Sequence, residues 1–114
     1  MSAITFRVRG DVVVLEPATR TDLSDDQGLR PLVRQHADDG FKKYVLNLHR
    51  VPYIDSTGIG GLARTAITVA QRGGRLKICA VSQRVRDLME VTKLTPIFEL
   101  YAAEDDAVGS FKDR

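Results

Sequence analysis

At 114 residues the chain has single-domain size, long enough to bury one core and too short for a two-domain enzyme. Its 17 basic and 15 acidic side chains are interspersed, and the net charge of +2 comes with no basic run suited to a nucleic-acid backbone or an anionic membrane. Cys79 is the single cysteine, which excludes an internal disulfide and a cysteine zinc set, and no apolar stretch reaches the length of a membrane span, so a cytoplasmic protein without membrane insertion is expected.

Ile4, Phe6 and Val8 alternate with Thr5, Arg7 and Arg9, and Gly10-Asp11 separates them from the run Val12 to Leu15. That is a hairpin pattern, and it accounts for the Arg9-Gly10-Asp11 triplet as a turn and not as an adhesion motif. Glu16 to Gln27 reads as a loop. A helix follows in which Leu29, Leu32, Val33 and Ala37 share a face, with Pro31 in the first turn where its missing N–H costs little. Tyr44 to Leu48 is apolar on both faces except at Asn47, as in a central strand covered on both sides. From Ile59 the residues Leu62, Ala63, Ala66, Val69 and Ala70 recur at helical spacing, and Arg64, Thr65, Thr68, Gln71 and Arg72 are placed on the water side. Gly73 and Gly74 end that helix. Leu76 to Val81 predicts a strand, with Cys79 as a small buried hydrophobe, and Ser82 caps a short helix holding Val85, Leu88 and Met89. Ile97 to Tyr101 predicts the last strand, and Glu104, Asp105 and Asp106 open a final helix reaching about Lys112. The fold class is α/β: one domain over residues 1–114, an N-terminal β-hairpin followed by a mainly parallel sheet with about four helices.

The stretch IDSTGIGGLA, residues 54–63, carries an acid, two hydroxyls and three glycines at a helix start. Gly58, Gly60 and Ala63 formally satisfy a dinucleotide fingerprint, but Arg50 to Asp55 separate them from the preceding strand, and no acid closes the next one. No Gly-Lys-Ser or Gly-Lys-Thr exists for a phosphate loop, so no nucleotide cofactor is expected. A catalytic serine needs a base and a group orienting that base; His36 reads as a helix-surface residue and His49 as a strand-end residue, and neither forms a metal-ligand cluster. No enzyme activity, metal or cofactor is therefore assigned. Asp55 or Ser56 caps the helix, a contribution of about 1 kcal/mol. Gly60 and Gly61 each cost about 1 kcal/mol relative to alanine, which either close packing on the sheet or a cleared surface for a partner's backbone would justify.

The segment YVLNLHRVPYIDSTGIGGLARTAITVAQRGGRLKICA, with VSQRVRDLMEVTKLTPIFELYAAEDDAVGSF after it, resembles the STAS family of bacterial anti-sigma factor antagonists. DSTG behind an LNL strand is the specific combination. The resemblance implies that Ser56 is phosphorylated by a partner that is both anti-sigma factor and serine kinase, of the GHKL-type ATPase fold. Unmodified protein would bind that kinase and free a sigma factor, phosphorylation would end the binding, and a PP2C-type phosphatase would restore it. Asp55, Thr57 and Gly58 match the residues flanking the site and, with Gly60, Gly61 and Asp22, are the expected partner surface. Asp22 stands where many members carry Gly-Glu-Leu-Asp, but this chain reads LEPATRTDLSDDQG there, so partner choice departs from the common pattern. The alternative that the resemblance leaves open is a STAS interaction module of a stress-signalling assembly or of a lipid-transporter complex.

Overall fold

The computed structural model describes residues 4–18, 28–93 and 98–112. Strands β1 (Thr5–Arg9) and β2 (Val12–Glu16) pair antiparallel across the Gly10-Asp11 turn. Helix α1 (Leu29–Asp38) leads to β3 (Lys43–Asn47), α2 (Ser56–Gln71) to β4 (Arg75–Cys79), and α3 (Gln83–Val91) to β5 (Glu99–Tyr101), with α4 (Glu104–Ser110) last. The strands lie in the order β1-β2-β3-β4-β5, and every pair after the hairpin is parallel. This is the hairpin and mainly parallel sheet expected from the sequence.

Period-two alternation sorts the sheet's side chains between two layers. Val13 and Leu15 of β2, Tyr44 and Leu46 of β3 and Ile78 of β4 pack with Leu29 and Val33 of α1, Ile59, Leu62 and Val69 of α2, and Val85 and Met89 of α3. Val12, Val14, Val45 and Cys79 point the other way, against Ala107, Val108 and Phe111 of α4 and its C-terminal end. Because both faces of β2 and β3 are covered, those strands carry apolar residues at consecutive positions instead of alternating ones. The turn after α2 depends on glycine twice. Gly73 has φ +77, and a Cβ on Gly74 would lie 2.5 Å from the Lys42 carbonyl oxygen, so the strand could not approach so closely.

The structure corrects four details. His36 is buried, not on the helix surface: its Nδ1 lies 2.8 Å from the Leu32 carbonyl oxygen, and its ring meets Phe6 and Phe41 edge-on. Thr65 and Thr68 belong to the buried face of α2, and Ala70 is exposed. Burial is tolerated because their hydroxyls donate to the Gly61 and Arg64 carbonyls at 2.9 Å, which leaves their methyls to pack. The last helix ends at Ser110, short of Lys112, and β5 begins at Glu99; Ile97, the expected start of that strand, lies outside the described residues.

Candidate functional site

The carboxyl end of β3 passes into residues 48–55, an irregular segment held down at three points. Leu48, Val51 and Ile54 are each at most 1% exposed, so the backbone is pinned to the core at regular intervals although it has no secondary structure of its own. Asn47 fixes its start: its side-chain oxygen accepts from the His49 backbone N–H at 3.0 Å, and its amide nitrogen donates to Glu104 at 3.0 Å. The far side is tied to α3, where the Ser82 hydroxyl donates to the Pro52 carbonyl at 2.8 Å and accepts from the Val85 N–H at 3.2 Å. Arg84 lies over the ring of the exposed Tyr53, 4.7 Å from its centroid.

Asp55, and not Ser56, is the helix cap. Its carboxylate accepts from the Gly58 N–H at 2.9 Å while its extended backbone turns into α2. Ser56 is thereby free of the capping role and stands exposed at the first helical position, with Thr57 exposed beside it. No acidic side chain sits in the first turn itself, so the partial positive charge of the helix start is met by the Asp55 cap alone.

The glycines divide between the two roles that sequence left open. Gly58 and Gly61 are buried, and a Cβ on Gly58 would lie 3.1 Å from that of Ile54. Gly58 thus lets the first turn of the helix close against the segment that leads into it. Gly60 faces outward, where a Cβ would meet only the end of the Arg64 side chain at 3.4 Å. Ser56 and Thr57 are therefore the open ground, with Gly60 and Asp55 half-buried beside them. Asp22 lies outside the described residues. Sequence reasoning missed the Asn47–Glu104, Ser82–Pro52 and Tyr53–Arg84 contacts, since each joins residues distant in the chain.

Beneath the other face of the sheet, Glu104 gathers Arg7, Arg9 and Asn47. Burial works against its ionisation, but the hydrogen bonds from Asn47, Arg7 and Arg9 outweigh that and hold its carboxyl below the ordinary value. His49 belongs to this network as well, with Nδ1 3.0 Å from Asn47 and Nε2 3.6 Å from Glu16. With His49 so engaged and His36 in the core, neither imidazole is placed as a base for Ser56. Among the described residues no His, Cys, Asp and Glu side chains cluster to hold a metal ion, and no helix is long and apolar enough to cross a membrane.

The STAS domain family model matches residues 3–107, and the chain belongs to that family. It is 35% identical over 80 residues to the anti-sigma-B factor antagonist of Bacillus subtilis, a match covering 70% of this chain and 69% of that protein. The crystal structure of an anti-sigma factor antagonist from Mycobacterium paratuberculosis superposes with a TM-score of 0.80 at 22% identity, covering 99% of this chain and 96% of that one. The Bacillus cell fate determinant SpoIIAA in its phosphorylated form gives a TM-score of 0.69 at 19% identity, covering 96% and 99%.

Proposed function

We propose that the protein is a cytoplasmic, non-enzymatic anti-sigma factor antagonist switched at Ser56. In this reading unmodified protein docks on an anti-sigma factor with serine kinase activity and a GHKL-type ATPase fold, through Ser56, Thr57 and Gly60, and a sigma factor is released. Phosphorylation of Ser56 ends the contact, and a PP2C-type phosphatase renews it. The observation that carries the reading is an exposed serine, relieved of capping by Asp55, at the start of a helix with no acid in its first turn. The name of the Bacillus subtilis relative supports the antagonist role.

The physical switch is local. A phosphoryl group adds about −1.5 to −2 charges and three acceptor oxygens where a small neutral hydroxyl stood. The helix dipole favours that charge by about 0.3 to 1 kcal/mol at an exposed site, the neighbouring Asp55 carboxylate repels it, and Ser56 is exposed to water that screens both, so the fold tolerates it. A partner seated over Ser56 and Gly60 instead meets bulk and charge. Incubation with the kinase partner and ATP, followed by mass spectrometry, is expected to place phosphate on Ser56. Ser56→Ala is expected to hold the kinase persistently and Ser56→Asp to bind poorly; phosphate found only elsewhere, or equal affinity of the two variants, refutes the switch.

A further inference from the structure

At the opposite pole of the sheet from Ser56, about 24 Å away along the 16 residues of α2, a hollow of about 490 Å³ opens between the amino ends of β3 and β4 and the end of α4. Among the described residues its lining is Lys42, Lys43, Gly73, Gly74, Arg75, Lys77 and Phe111, four cations with no carboxylate. The charge is concentrated by the register. Lys43 and Arg75 are paired neighbours on adjacent parallel strands, and alternation places them on the same face as Lys77 two positions on. The size lies within the range of small-ligand pockets.

Lys77 is the unusual member. It is 3% exposed, yet among the described residues its ammonium is paired only at 3.9 Å, with a Glu99 oxygen, and the other Glu99 oxygen accepts from Arg75 at 2.5 Å. Its hydrogen bond runs to the neutral Ser110 hydroxyl at 2.5 Å, which itself donates to the Ala107 carbonyl, and the Phe111 ring lies 4.1 Å from the nitrogen. An ammonium has three donors, and a buried charge with a loose counter-ion is costly. Asp11 answers Lys43 from one flank and Glu99 answers Arg75 from the other, so the carboxylates fix the rim and leave the middle of the hollow positive. Lys42 donates to the Arg72 carbonyl, with no acid at hydrogen-bond distance among the described residues.

We infer that this hollow binds a small, multiply charged anion of the phosphate class, with Lys77 at its base, Lys42, Lys43 and Arg75 around its mouth, and Phe111 as an apolar wall. Arginine and lysine provide complementary recognition there, a planar fork and compact point charges. The site is independent of Ser56 and of the partner assigned to it.

The test is a titration of ¹⁵N-labelled protein with inorganic tripolyphosphate at low salt, followed by amide shifts. Saturable shifts are expected at Lys42, Lys43 and Gly73 to Lys77, with Ser56 to Gly60 unmoved. Combined Lys42→Gln and Arg75→Gln substitution should weaken binding about tenfold or more, while Arg34→Gln, an exposed charge on α1, should not. Ser56→Asp should bind as the parent does, which separates this proposal from the phosphoswitch. Absence of saturation at millimolar tripolyphosphate, shifts spread evenly over basic residues, or equal loss in Arg34→Gln would overturn the site. Tighter binding of hexaglutamate than of tripolyphosphate would overturn the ligand class in favour of an acidic polypeptide.

Discussion

Replacing Gly60 by alanine separates what the helix wants from what the surface is for. Glycine inside a helix costs about 1 kcal/mol relative to alanine, because the unfolded chain loses more freedom. At Gly60 nothing in the fold requires that cost: the backbone is helical, and an added methyl meets only the mobile end of Arg64 at 3.4 Å. Gly60→Ala should therefore stabilise the isolated protein by about 1 kcal/mol, which for a domain near this size raises the melting temperature by about 4 °C. Urea and thermal unfolding followed by circular dichroism would measure this. The same variant should bind the anti-sigma partner less tightly, since the methyl stands where the partner's backbone is proposed to approach. Gly74→Ala is the control: there the Cβ would lie 2.5 Å from a backbone oxygen, and stability should fall by about 1–3 kcal/mol. A loss of stability in Gly60→Ala would show that its surroundings are crowded, and unchanged partner affinity would remove Gly60 from the docking surface.

Two further expectations concern the opposite face. Burial, with Glu104 adding to it, pushes the Cys79 thiol up to about 12, so a disulfide reagent at mildly alkaline pH should leave the native protein unlabelled and react on unfolding; rapid stoichiometric labelling of native protein would contradict the packing of α4. Glu104 is held below its ordinary pKa, so the stability it provides is complete above the unfolded carboxylate range near pH 4.3 and is lost as pH falls through its lower folded value. The stability difference between parent and Glu104→Gln should thus be largest at neutral pH and shrink on acidification, and a difference that grows toward low pH would refute the ion network.

Where the sequence was legible, local chemistry and tertiary demand agreed. The run around Tyr44 to Leu48 needs both faces covered and has both faces covered; Ser82 caps α3 as its position before Val85 suggests. Threonine on α2 was misplaced because hydroxyls suggest water, whereas a back-bond within the helix satisfies each one and frees the methyl for the core. His36 was misplaced for a different reason: Phe6, which flanks its ring, comes from the first strand, thirty positions away, and no window along the chain contains both. At the site, spacing located the helix start but could not divide capping between Asp55 and Ser56. Nor could it tell Gly58 and Gly61, which are buried, from Gly60, which faces outward. That division needs the position of Ile54 and the direction of each Cβ.

The succession of strands in space repeats their succession in the chain. That order lets each strand pair with the one made just before it, so the sheet can be built from one edge with loop closures that stay short. Helix α4 is the exception, since Glu104 must return across 97 positions to Arg7. Until it does, Val12, Val14, Val45 and Cys79 are bare on one side. A chain lacking α4 would therefore display an apolar face that α4 otherwise covers, so that this one short helix stands between the sheet and unwanted association.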